Sequence, residues 1–214
     1  MLRKRALLIA VIAVLGAALA TVGVLANNDR WSTHLAGQFE LPVAVDTKAQ
    51  GQATFKLSDD GMVLHYKLNV ANIQNVFMAH IHAGPATSTG PIVVWLYPST
   101  PFPALPQPPA SYRPGRTNGT LAEGEIRAAN LVGPLAGKSL TDLVALMNSG
   151  GAYVNAHTSD FQGANNTGPG DMASGEIRGN LRGDGQGDGD HGDHGHGDDD
   201  HGGHDHGEHG SGHK

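Results

Sequence analysis

The chain has 214 residues and no cysteine, which excludes disulfides, zinc–thiolate sites, thiol catalysis and a lipid-modified cysteine. Its formal net charge is −6, but residues 183–214 hold nine acids against one base, so the rest sums to +2. The central part is therefore close to neutral without a basic stripe, and nucleic acid is not an expected partner.

Arg3, Lys4 and Arg5 precede an uncharged run from Ala6 to Ala26. A charged start followed by an apolar stretch is the pattern of an export signal. The run nearly reaches the roughly 20 apolar residues that a membrane span needs. Small residues suited to cleavage occur at Ala18-Leu19-Ala20 and Val24-Leu25-Ala26. Residues 1–26 are thus either a cleaved signal peptide or an apolar helix that stays as a membrane anchor. In both cases the basic residues stay in the cytoplasm and the rest is extracytoplasmic, secreted or anchored. Contact with a membrane is expected only through this segment.

Residues 31–182 form the expected folded domain, and strands dominate it. Gln52–Leu57 alternates apolar and polar, Ser58-Asp59-Asp60-Gly61 turns, and Met62–Val70 alternates again, which predicts a hairpin. Val76–Ala83 is the next expected strand. Pro91–Tyr97 is more continuously apolar and is expected at the centre of a sheet. Pro98–Gly119 is rich in Pro, Ser and Gly and is expected as a surface loop. Strand character resumes at Thr120–Leu131. Leu140, Leu143, Val144 and Met147 have helical spacing; Ser139 or Thr141 can cap the start, and Gly150-Gly151 stops the helix. Ala152–Thr158 and Ser174–Leu181 are the last expected strands. The fold class is all-β: an antiparallel β-sandwich or partly closed barrel with one short helix, flanked by the N-terminal apolar helix and a disordered C-terminal tail.

Period two places His80 and His82 on one strand face, about 6–7 Å apart. Phe77, Ala79 and Ile81 are expected on the opposite, core face. The same rule groups Tyr153, Asn155 and His157, and it groups Glu176 and Arg178. Where these strands are neighbours, His80, His82, His157 and Glu176 converge as three imidazoles and a carboxylate, a set suited to zinc or copper. The alternative is a structural polar cluster on a half-solvated sheet, its histidines bonded to loop backbone. His34 and His65 stand alone. Gly124-Glu125-Ile126-Arg127 recurs as Gly175-Glu176-Ile177-Arg178, which suggests two equivalent strand ends carrying cross-strand ion pairs.

Residues 183–214 are almost wholly Gly, Asp and His. With no apolar residue to bury, such a segment cannot offset the entropy of ordering. His191, His194, His196, His201, His204, His206, His209 and His213 alternate with carboxylates, and neutral imidazole binds Zn, Cu and Ni ions well. Several exchangeable sites are expected, weakening below a pH of about 6.5.

Four segments, in order, resemble the CHRD domain, the repeat unit named after chordin. They are Phe39-Glu40-Leu41-Pro42; Ala79-His80-Ile81-His82-Ala83-Gly84 with Gly90-Pro91-Ile92-Val93-Val94; Tyr153-Val154-Asn155-Ala156-His157-Thr158; and Gly175-Glu176-Ile177-Arg178-Gly179-Asn180-Leu181. The resemblance implies an extracytoplasmic β-rich module. Chordin's antagonism of growth factors is not implied, because the cysteine-rich modules that make those contacts are absent. Phe161–Ala173 is longer than the family usually shows.

The expected function is an exported binding module whose His-rich tail takes divalent metal ions, with an extracytoplasmic protein as a further partner class. The alternatives are a copper- or zinc-dependent oxidoreductase centred on the domain histidines, and a structural surface protein. No serine-nucleophile elbow, phosphate-binding glycine loop or metalloprotease helix is present, so an enzyme is the less favoured class and no catalytic residue is assigned.

Overall fold

The computed structural model describes residues 29–101 and 108–183. Strict alternation builds the first two strands. β1 (Arg30–Ala36), an addition to the expected strands, buries Trp31, Thr33 and Leu35 and exposes Ser32 and His34 between them. β2 (Gln50–Leu57) pairs with it antiparallel from Arg30↔Lys56 to Ala36↔Gln50. The predicted hairpin follows. Asp60 accepts hydrogen bonds from Ser58 Oγ (2.6 Å) and Met62 N (3.0 Å), and Gly61 takes the left-handed conformation the turn needs.

Two strands expected over Met62–Val70 and Val76–Ala83 are one, β3 (Leu64–Ala83), 20 residues long. Asn72 and Asn75 adopt left-handed backbone between the halves. They shift the register of the ladder without ending it. Both are held from outside: Asn118 Oδ1 accepts from Asn72 N, while the Asn75 side chain donates to Gly170 O and accepts from Gly115 N.

The first half of β3 pairs with β2. Its second half pairs with β4 (Ile92–Tyr97) and β6 (Ala152–Thr158). β5 (Arg113–Ile126) lies along the first half, starting inside the segment expected as a loop and ending before Leu131. Proline and glycine weaken the local strand signal there, but pairing with the long β3 overrides it. β4, expected at a sheet centre, pairs only with β3 among the described strands. Its residues Val93, Val94 and Leu96 are buried all the same.

α1 (Leu140–Asn148) matches the expected helix. Ser139 and Asp142 form a reciprocal capping box, and Leu140, Leu143 and Met147 face the core. The last turn is tied to β1 by Trp31 Nε1 donating to Asn148 Oδ1 at 2.8 Å.

β7 (Ile177–Asn180) pairs with β6 and touches β1 at Ala36↔Arg178; β8 (Arg182–Gly183) continues along β1. The ring β1-β2-β3-β6-β7 therefore closes into a five-stranded antiparallel barrel, more complete than the partly closed form expected. Gly179 permits the closure: a Cβ there would collide with His34 O and Thr33 Oγ1 of β1. Among the described residues no helix is long and apolar enough to cross a membrane.

Candidate metal centre

Alternation along β3 and β6 sorts their side chains into two buried faces. Ala79, Ile81, Val154, Ala156 and Ile177 join the apolar core. His80, His82, Tyr153, Asn155, His157 and Arg178 take the other face. His80, Asn155 and Arg178 form one row of directly opposed residues across β3, β6 and β7. Phe77 is the exception to the expected pattern. The ladder is irregular between Val76 and Met78, and the irregularity turns Phe77 away from the core. Its ring lies edge-on to His157, centroids 6.4 Å apart, and to Phe161 at 5.4 Å.

The three expected histidines come together. One ring nitrogen from each of His80, His82 and His157 lies within 4.8 Å of the other two. Their side chains are 0%, 8% and 5% exposed. Two of the rings are oriented by backbone. His82 Nδ1 is 2.8 Å from Gly90 O, and His157 Nδ1 is 3.0 Å from Ala173 O. A carbonyl only accepts, so each Nδ1 carries the proton and each Nε2 keeps its lone pair. The hydrogen bonds to loop backbone expected of a structural cluster are thus present, and they leave the Nε2 of each ring as an acceptor. His157 Nε2 accepts in turn from His80 Nδ1 at 3.2 Å. Neither His80 Nε2 nor His82 Nε2 has a hydrogen-bond partner.

Burial keeps these rings neutral. It depresses His157 from 6.5 to about 3, helped by the neighbouring His82. It lowers His80 further, with His157 and His82 adding to the effect. His82 is lowered by burial too, although its bond to Gly90 pulls the other way. Neutral imidazole is the form that binds a metal.

Aromatic rings wall the cluster. Trp95 of β4 lies edge-to-face with His80, centroids 4.3 Å apart at 85°. Tyr153 stacks flat on His82 at 4.8 Å and 8°. The Arg178 guanidinium sits over the Tyr153 ring, 3.5 Å from its centroid. The Tyr153 hydroxyl accepts from Gly90 N, so Gly90 anchors both members of the His82–Tyr153 stack.

Glu176, the expected fourth member, does not join the three histidines. Its carboxylate accepts from Thr47 Oγ1 (2.6 Å), Thr158 Oγ1 (2.7 Å) and Gly170 N (2.8 Å). Those donors occupy it as a structural acceptor that ties three segments together. Glu176 precedes β7, so the alternation assumed for a strand from Ser174 does not reach it.

A second buried carboxylate neighbours Asn155 and Arg178, which share the histidine face. Glu40 is 4% exposed, and Oε1 has no hydrogen-bond partner. Burial raises its pKa from 4.5 to about 7, against the opposing pull of Arg178, the Leu41 N–H and the Asn155 amide. Gly175, with φ of +130°, makes room for it: a Cβ there would sit 2.7 Å from both Glu40 Oε1 and Asn155 Nδ2. The only sequence signal for Glu40 is its place in the Phe39–Pro42 motif.

The two Gly-Glu-Ile-Arg copies are not equivalent. Glu125 pairs with Arg127 at 2.7 Å on the surface, whereas Arg178 is 1% exposed and donates to Pro85 O and Ser88 O. His34 is exposed, and His65 is half-exposed and 4.0 Å from Glu125. The tail histidines His191, His194, His196, His201, His204, His206, His209 and His213 and the N-terminal segment 1–26 lie outside the described residues.

The model of the CHRD domain family matches residues 31–165. The match contains all three clustered histidines and Glu40, and it ends before the second Gly-Glu-Ile-Arg copy. A search of curated proteins and a search of solved structures returned no match.

Proposed function

The chain belongs to the CHRD domain family, and on that premise we propose that it is an exported binding module whose β domain holds one transition-metal ion, zinc or copper, between His80, His82 and His157. The observation that carries this reading is the pair of buried Nε2 lone pairs on His82 and His157, each fixed by a backbone carbonyl on the far side of its ring. Metal-binding histidines are held in this way, the second nitrogen setting the tautomer and the ring orientation.

The spacing suits a metal after a small contraction. Metal–nitrogen bonds of 2.0–2.1 Å place ligand nitrogens roughly 3.3–3.6 Å apart. His80 Nδ1 and His157 Nε2 are already at 3.2 Å, and the group as a whole spans at most 4.8 Å. His80 Nδ1 and His157 Nε2 would both serve as ligands to a bound ion, with the ring proton of His80 held on its Nε2.

The eight tail histidines supply further, exchangeable ligands of lower affinity, and they raise the local metal concentration near the domain. Arg3, Lys4 and Arg5 ahead of an apolar run support export, as does the extracellular setting typical of CHRD domains.

Elemental analysis after dialysis against a mild chelator tests the reading. The samples are the full chain, the full chain with all eight tail histidines changed to Asn, and that second protein with His157→Gln added. About one metal per chain should survive loss of the tail histidines and vanish with His157→Gln. If metal disappears as soon as the tail histidines are gone, the tail is the whole of the chemistry and the domain reading is wrong.

A further inference from the structure

We infer that the three-histidine pocket selects monovalent copper over zinc and other divalent ions. The inference deepens the metal-binding reading and rests on it.

Charge is the first reason. The three ligands are neutral, and no carboxylate belongs to their group among the described residues. Glu176 is engaged by Thr47, Thr158 and Gly170. Glu40 faces Arg178, which offsets its charge. Arg178 itself acts on His82 with the same sign as a metal ion would. An ion in this pocket therefore keeps its full charge in a place 0–8% exposed to water. The cost of burying a charge grows as its square, so a divalent ion meets about four times the penalty of a monovalent one.

Coordination number is the second reason. Zinc takes four ligands and completes a three-protein-ligand set with water. Here an aromatic ring packs against each histidine, Trp95 against His80, Tyr153 on His82 and Phe77 beside His157, with Asn155 and Arg178 the other side chains of that face. Copper(I), a closed-shell ion of low charge, is content with three nitrogen donors. A polarizable aromatic wall is also a better neighbour for it than for a strongly hydrated dication.

The test compares copper(I), under oxygen-free conditions with ascorbate, with zinc(II). Each competes against a chromogenic chelator of known affinity, using the full chain with its eight tail histidines changed to Asn. Trp95 supplies an independent local signal, read as the part of the emission change that Trp95→Phe removes. Support is one copper(I) per chain bound at least tenfold more tightly than zinc(II), with a Trp95-dependent change in emission. Equal or tighter zinc binding overturns the selectivity and leaves the metal-binding reading intact. Binding of neither ion overturns both.

Discussion

Gly124-Glu125-Ile126-Arg127 and Gly175-Glu176-Ile177-Arg178 are the same four residues in two settings. In the first, the isoleucine is buried while acid and base stand in water and pair with each other. In the second all three side chains are buried, and acid and base are held by other partners: hydroxyls and a backbone amide for Glu176, loop carbonyls and a tyrosine ring for Arg178. β5 presents one face to solvent, whereas β7 closes a barrel and has no wet face to offer. A tetrapeptide thus records local alternation and nothing of the number of layers packed over it.

The largest expected contrast is at the arginines. Arg178→Met leaves Pro85 O and Ser88 O unpaired and Glu40 without its counter-charge, and should cost about 3–5 kcal/mol. Arg127→Met should cost less than about 1 kcal/mol, as exposed pairs do. Urea denaturation of both variants checks the difference, and similar losses would break the contrast.

Acid should act most strongly on the buried region. Below pH 6.5 the unfolded chain takes up a proton on His157 that the folded chain refuses until about pH 3. The His157 contribution to the stability of the metal-free protein is therefore full above pH 6.5 and falls as the pH drops toward 3, by on the order of 4 kcal/mol. Glu40 works in the other direction. Its folded pKa of about 7 against 4.5 makes its contribution complete below pH 4.5 and lost as pH rises through 7. Urea midpoints measured across pH should show the acid limb in the metal-free chain, and Glu40→Gln should remove the loss on the neutral side. An acid limb unchanged by His157→Gln would show that the imidazole is not its source.

Glu176→Gln replaces one carboxylate oxygen by an NH₂ that faces either Thr47 Oγ1 or the pair Thr158 Oγ1 and Gly170 N, and should cost about 2 kcal/mol. Thermal melting will register it without any change in metal stoichiometry if the residue is structural. Loss of bound metal in a protein that still folds would return Glu176 to the ligand set. Smallest is Glu125→Gln, expected within about 0.5 kcal/mol, because the Arg127 and His65 contacts it removes are half in water.

Much of this architecture is readable from period two and turn chemistry. The β2–β3 hairpin, the capped helix and β6 follow from local pattern, and so does the shared face of His80 and His82. That His157 lies beside them depends on β6 pairing with β3, a neighbour that no local pattern specifies. What escapes is whatever depends on an irregularity or on a distant partner. Asn72 and Asn75 carry β3 through a stretch that looks like a break, because their backbone is held by Asn118, Gly115 and Gly170 far along the chain. Phe77 leaves the core face because the ladder slips by one residue beside it. Glu176 misses the histidines because β7 begins after it. Glu40 sits in no strand, and no periodicity places it near Asn155 and Arg178.

Barrel closure also has a kinetic consequence. β1 begins at Arg30, yet its edge is sealed by β7 and β8, which end at Gly183. Nearly the whole domain must be made before the first strand acquires its second neighbour. Contacts between such distant segments form slowly, since the loop between them must close first. A chain built this way stays open until its last strand arrives, the state in which a polypeptide can be threaded through a narrow channel.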